Sequence, residues 1–243
     1  MAALCPTAPI WSSFTESSCP VQHRQISVRS RSPDTTFITH GACLLLKRQL
    51  TFESDKLIAL QGIVKQLLIR TSLEYHFGIW SGSIAGQLLW FAKPYTVLEP
   101  SESLKVNPTW SWASTMGHIV FNNGALAENL VTEIEIEGHR LTLDTQLITV
   151  PRSGSPTATG SVDMIDVSGR NIGWASSDER VIPSGPVYCP FISREVTIYN
   201  FGFSVLLVQP ADTQAEEFRR VGLGGVTEDR GFANVERQRV CII

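Results

Sequence analysis

The chain has 243 residues, 43% of them hydrophobic and 18% charged, globular proportions that call for a packed core. A net charge of −3 and a pI near 6.0 leave no basic footprint for nucleic acid or an acidic membrane surface. No apolar run approaches the length of a membrane span; the longest, around Ser204–Val208, is strand-sized.

Residues 1–40 contain 16 Ser, Thr or Pro and keep neither the strand nor the helix period, so they are read as unstructured. They form a disordered tail, or a gene-model start that joins foreign sequence to a truncated domain. An organelle transit peptide is the functional alternative, because Arg24, Arg29 and Arg31 sit among serines and acids are few.

Helical periodicity opens at Ser54–Arg70, where Leu57, Leu60, Ile63, Val64, Leu67 and Leu68 fall on one face. Ser54 is the expected cap, and Asp55 suits the positive end of the helix dipole. Gly62 is expected to mark a close packing contact, since a mid-helix glycine otherwise costs about 1 kcal/mol. The following stretch, Glu74–Phe91, is dense in aromatics, with Gly78, Gly82 and Gly86 at four-residue intervals. Polar interruptions assign these glycines to soluble packing rather than to a membrane helix pair.

From about Trp110 the pattern changes to strands. Glu133, Glu135 and Glu137 alternate with Ile134 and Ile136, the signature of a half-buried antiparallel strand. Gly138-His139 turns into Arg140–Val150, where Leu141, Leu143 and Leu147 share a face. Val162–Val167 and Asn171–Ala175 flank Ser168-Gly169 as a second hairpin. Glu195–Gln209 reads as one long β-branched and aromatic run, and Phe218–Thr227 and Arg239–Ile243 supply two more strands. The fold class is therefore α+β and mainly β. A helical segment near the amino terminus packs on an antiparallel sandwich or open barrel. The chain divides into a tail (1–40), a helical, aromatic-rich connecting segment (41–107) and an antiparallel β-rich domain (108–243).

Several segments carry a family resemblance. Leu50-Thr51-Phe52-Glu53-Ser54-Asp55-Lys56-Leu57-Ile58-Ala59-Leu60-Gln61-Gly62-Ile63 resembles the stretch that follows the core of fungal heterokaryon-incompatibility (HET) family proteins. Tyr75-His76-Phe77-Gly78-Ile79-Trp80 and Leu88-Leu89-Trp90 resemble that family's Y-x-x-G-x-W and L-L-W pieces. Pro108-Thr109-Trp110-Ser111-Trp112-Ala113-Ser114, followed by Gly117, is similar to its P-S-W-S-W-A-S-x-x-G box. Phe218-Arg219-Arg220-Val221-Gly222 resembles a terminal aromatic-x-R-V-G strand. The match covers residues 50–121 best, with Thr109 and Gln61 departing from the usual residues. The family's TIR-like amino-terminal core finds no counterpart in these residues, so the resemblance carries over no catalytic position. It implies a protein partner, a HET core in cis or in trans, and a role in fungal non-self recognition and cell death.

No chemistry assembles from spacing alone. In Gly82-Ser83-Ile84-Ala85-Gly86 the serine follows the first glycine directly, unlike the nucleophile elbow of hydrolases. Gly222-Leu223-Gly224-Gly225 lacks the lysine of a phosphate loop and is expected to end a strand or form a bulge. His23, His40, His76, His118 and His139 are too scattered for a metal pair, and Glu133, Glu135 and Glu137 read as a solvated strand face. Arg219 and Arg220 read as ordinary surface. Trp110 and Trp112 are expected to lie on a strand and emerge together on one core-facing side; the functional alternative is a ligand-stacking platform.

Cys5, Cys19, Cys43, Cys189 and Cys241 are odd in number and form no C-x-x-C pair. With a proline blocking the only N-x-T triplet at Asn107, they point to a reducing, cytoplasmic address. The expectation is thus an accessory or regulatory module with no catalytic, cofactor-binding or metal residue. The alternative is a carbohydrate or small-ligand binding β-module.

Overall fold

A computed structural model describes residues 24–26, 55–93, 104–121, 128–151, 161–179, 185–196, 201–211, 216–227 and 235–243. Residues 1–40 other than these three, the expected cap Ser54, His23 and His40 lie outside the described residues, as do Cys5, Cys19 and Cys43. Within the stretch expected to be unstructured, Arg24–Ile26 (β1) is a strand, pairing antiparallel with Glu133–Glu137 (β7). An exposed sheet edge offers unpaired main-chain groups that a short extended segment can satisfy whatever its composition.

The helix α1 runs Lys56–Arg70, and Asp55 before it makes no side-chain cap bond. Its apolar face is narrower than the sequence implied. Leu60 and Val64 are buried and Leu57, Leu67 and Leu68 pack alongside, while Ile63 is 49% exposed. Gly62 corrects a second expectation: a side chain there would meet nothing within 4 Å. By helical spacing it lies opposite Leu60 and Val64, so the glycine makes no close contact. The buried Lys56 ties the start of α1 down, its Nζ donating to the Thr115 carbonyl at 2.6 Å.

Tyr75–His76 (β2) and Ile79–Trp80 (β3) form a hairpin whose turn residues, Phe77 and Gly78, both have positive φ (46° and 94°), the geometry that matches strand twist. A 3-10 turn, Ser81–Ser83, leads into the short helix Ile84–Leu88 (α2). Trp90–Ala92 (β4) then pairs with Ile119–Phe121 (β5). Buried Gln87 braces this corner. Its Oε1 accepts from the Trp80 N–H at 2.9 Å, and its Nε2 donates to the carbonyls of Trp80 (2.8 Å) and Ser83 (3.0 Å).

Strands build the rest: Glu128–Asn129 (β6), β7, Arg140–Val150 (β8), Ser161–Ile165 (β9), Asn171–Ser177 (β10), Val187–Val196 (β11), Phe201–Pro210 (β12), Glu217–Thr227 (β13) and Arg237–Ile242 (β14). β8 pairs with β11, β11 with β12, β12 with β13, β13 with β14, and β14 with β8 again. That ring is a five-stranded barrel. Four seams are antiparallel, and an odd ring cannot alternate throughout, so the fifth, β13 with β14, must be parallel. It holds only two residue pairs, Glu217 with Cys241 and Phe218 with Ile242. β7 extends the sheet beyond β8, and β10 with β9 extends it beyond β13. The protein is a β-rich α+β fold, as its strand pattern implied.

The expected single run Glu195–Gln209 is two strands: β11 and β12 are antiparallel neighbours, with Val196 opposite Phe201. The centre of β12 has no polar face because both of its faces are buried. Leu206 and Val208 join a cluster with Leu141, Leu143, Ile192, Leu223, Val240 and Ile242, drawn from all five ring strands. Val205 and Leu207 join another with Phe191, Val221, Met164 and Ala175. The first cluster also takes in Ile79, Ile84, Leu88, Leu89 and Trp110, so it spans both sides of residue 108.

The β9–β10 hairpin turns at Ser168-Gly169, as expected. Asp166 organises it by accepting from the Ser168 N–H (2.8 Å) and hydroxyl (2.6 Å) and the Arg170 N–H (3.0 Å). The Ser168 hydroxyl and these main-chain bonds, with Arg170 nearby, lower its carboxyl from the ordinary 3.8 to about 2. A depressed acid contributes stability that is present above its unfolded value and lost as pH falls through the folded one. Wild-type stability should therefore fall between pH 3.8 and about 2 more steeply than that of Asp166→Asn. Acid denaturation of the two, with carboxyl NMR titration of Asp166, checks both slope and midpoint; an Asp166 midpoint near 3.8 would refute the turn chemistry.

Candidate functional site

The tryptophan box is not the strand its alternation implied. Ser111 caps a single 3-10 turn, Trp112–Ser114, its Oγ accepting from the Ala113 N–H at 3.0 Å and donating to the Phe77 carbonyl at 2.6 Å. A turn in place of a pleat sends the two indoles apart. Trp110 enters the barrel cluster, while Trp112 enters the cluster beneath α1 with Leu60, Val64, Trp80 and Trp90.

Both rings are fully buried, and each indole N–H finds a carbonyl, as a buried tryptophan requires. Trp110 Nε1 donates to His139 at 2.9 Å, Trp112 Nε1 to Gly78 at 3.1 Å, and Trp90 Nε1 to Trp110 at 3.0 Å. Gly78 must be glycine. Its φ is positive, and a Cβ would stand 2.5 Å from Trp112 Nε1. The core reading of the pair holds by burial, and neither ring is exposed to stack on a ligand.

The residue that organises the site is one the sequence had assigned to the surface. Arg220 is buried, its side chain 0% exposed. It stands where the edge of β13 away from β12 forks: Glu217 and Phe218 pair with β14, whereas Gly222–Val226 pair with β10. Register jumps from Leu207 opposite Gly222 to Val208 opposite Arg220, leaving Val221 as an extra residue. Such a bulge bends the strand locally and increases its twist. It lies beside the Gly222–Gly225 run, which continues the strand instead of ending it.

The fork is filled from three directions. Asp178, just past β10, accepts from Arg220 Nε at 2.8 Å. Arg220 Nη1 donates to the Leu88 carbonyl at 2.6 Å, and Nη2 donates to that of Trp90. The guanidinium carbon sits 3.5 Å from the centroid of the Trp90 ring, a cation–π contact out of water. The Arg220 N–H donates to Thr109 Oγ1 at 3.0 Å, and that hydroxyl donates in turn to the Ile243 carbonyl.

Electrostatically the site is a buried ion pair. Burial pushes the Asp178 carboxyl up and the Arg220 guanidinium down, and each is pulled back by the other's charge and hydrogen bonds. The guanidinium also satisfies two carbonyls at the end of α2 and the start of β4. Its chemistry is fastening: it joins the aromatic unit, the tryptophan box and the barrel at one point. The sequence signal was available, since Phe218 and Arg220 share a strand face by alternation and Phe218 packs on the core.

The other residues weighed from the sequence stay apart. Arg219 is a surface residue, as expected, 3.1 Å from Glu179. Glu133, Glu135 and Glu137 are exposed, Glu135 pairing with Arg239 at 2.7 Å. His76 lies 3.4 Å from Glu74, and His139 packs edge-on to Phe77. His118 precedes β5, its carbonyl accepting from the Lys93 N–H at 2.9 Å. Ser83 and Gly86 belong to the turn and α2. Cys189 is fully buried, and burial pushes its thiol far up, so it is inert as a nucleophile. Among the described residues no three His, Cys, Asp or Glu side chains gather to hold a metal, and no helix is long and apolar enough to cross a membrane. No protein-family model, curated protein or solved structure matches the chain.

Proposed function

We infer that the chain is the β-rich accessory or regulatory module of a HET-family protein, with no catalysis of its own. It serves fungal non-self recognition by holding or restraining a HET core domain supplied in cis or in trans. What supports this reading is a convergence. The pieces resembling the family are scattered in sequence, yet Leu88-Leu89-Trp90, the tryptophan box and Phe218–Gly222 meet at the Arg220 node. Tyr75–Trp80 joins them through Gly78 and Phe77. At that node the guanidinium is taken up by Asp178, two main-chain carbonyls and the Trp90 ring, an arrangement that fastens segments together as a scaffold does. The rival reading, a ligand-binding β-module, can no longer rest on Trp110 and Trp112, whose rings are buried.

The test is an inducible viability assay in a fungal host together with sizing chromatography. Expression of residues 1–243 alone should leave the cells alive, and the purified chain should co-elute with a separately supplied HET core. Death on expression of this chain alone, or failure to bind the core, would overturn the reading.

A further inference from the structure

Outside the Arg220 site, and among the described residues, one tryptophan is placed unlike the others. Trp80, Trp90, Trp110 and Trp112 are buried, whereas Trp174 on β10 is 45% exposed. It stands directly opposite Asp163 on β9 and Gly225 on β13, and Gly225 stands opposite Ser204 on β12. Directly opposed residues share a face of a sheet, so Trp174 is the one large side chain in that row. A Cβ on Gly225 would lie 2.5 Å from Trp174 Nε1 and 2.9 Å from its Cε2. The indole therefore lies down on the bare glycine and turns its other face to solvent. Its N–H makes no hydrogen bond among the described residues, in contrast to those of Trp90, Trp110 and Trp112.

We propose that Trp174 is a stacking platform for a hexopyranose ring of a neutral glycan. An upturned indole matches the apolar C–H face of a pyranose, and its N–H matches a hydroxyl oxygen. The exposed Asp163 carboxylate across the strand pair has several acceptor sites for a hydroxyl proton. That carboxylate and the net charge of −3 disfavour phosphate-bearing ligands such as nucleic acid. A proline ring could stack but offers no donor for the carboxylate. The proposal is independent of the HET reading, because it uses no residue of the Arg220 node.

The test titrates the full chain with laminarin, cellopentaose and chitopentaose, following tryptophan fluorescence and the Trp174 indole N–H in NMR spectra. At least one glycan should shift that resonance. Trp174→Ala should weaken binding by about tenfold or more, equivalent to about 1.4 kcal/mol. Trp174→Phe, which keeps Gly225 covered, should retain part of the affinity and the wild-type melting temperature, and Asp163→Ala should weaken binding while leaving the fold intact. Equal affinity in wild type and Trp174→Ala overturns the proposal, as does silence of the Trp174 resonance with all three glycans. Loss of self-association in Trp174→Ala without any glycan effect also overturns it, by showing the face to be a contact between copies of the chain.

Discussion

Replacing Arg220 with methionine should cost about 3–5 kcal/mol of stability, the usual penalty for removing one partner of a buried ion pair. The change strands the Asp178 carboxyl in the interior and removes the donors to the Leu88 and Trp90 carbonyls. An uncompensated buried charge is worse than an apolar filling of the same space. The double substitution Arg220→Met with Asp178→Leu should therefore be more stable than Arg220→Met alone. Urea denaturation of wild type, both single variants and the double variant forms a cycle that isolates the pair. A loss below about 1 kcal/mol for Arg220→Met would mean that water reaches the site, which is surface behaviour. Lysine at this position should not rescue, since an ammonium cannot reproduce the planar fork that serves a carboxylate, two carbonyls and a ring at once.

Trp112→Ala should destabilise the chain by a similar amount, about 3–5 kcal/mol, through the cavity left among Trp80, Trp90, Leu60 and Val64. The substitution also strands the Gly78 carbonyl in the turn of the β2–β3 hairpin. Trp112→Phe keeps most of the apolar area and loses only the N–H, so it should cost about 1–2 kcal/mol. Thermal and chemical denaturation of the two variants separates packing from hydrogen bonding. Equal losses would assign the whole effect to the hydrogen bond, and an unchanged melting temperature for Trp112→Ala would refute the buried position itself.

The two variants probe one assembly from opposite sides. Trp112 holds the aromatic unit together from within, and Arg220 fastens that unit to the barrel. If the chain restrains a HET core, variants at either residue should change core binding only as far as they change folding. Trp174 lies on a different part of the sheet and should be separable from both.

What the sequence determined by itself was local and periodic. The Glu133–Glu137 alternation, the Gly138 and Ser168-Gly169 turns and the helix expected at Ser54–Arg70, found at Lys56–Arg70, all follow from short-range sterics and from which face meets water. The β-rich class followed from the number of such segments; the burial expected of Trp110 and Trp112 holds, although the strand it was argued from does not form. The tertiary structure decided the rest, because each remaining feature depends on a partner far away in the chain. The run Glu195–Gln209 hid a chain reversal because β11 and β12 lie within one sheet with both faces covered, which erases the polar alternation that marks strand ends. The tryptophan box looked like a strand because helical and extended turns place Trp-Ser-Trp differently only once a cap such as Ser111 has chosen its acceptor. Arg220 read as surface because a charge is normally solvated. Its burial became tolerable only when a bulge at Val221, a carboxylate 42 residues earlier and two carbonyls more than a hundred residues away closed around it, and no window along the sequence contains them all.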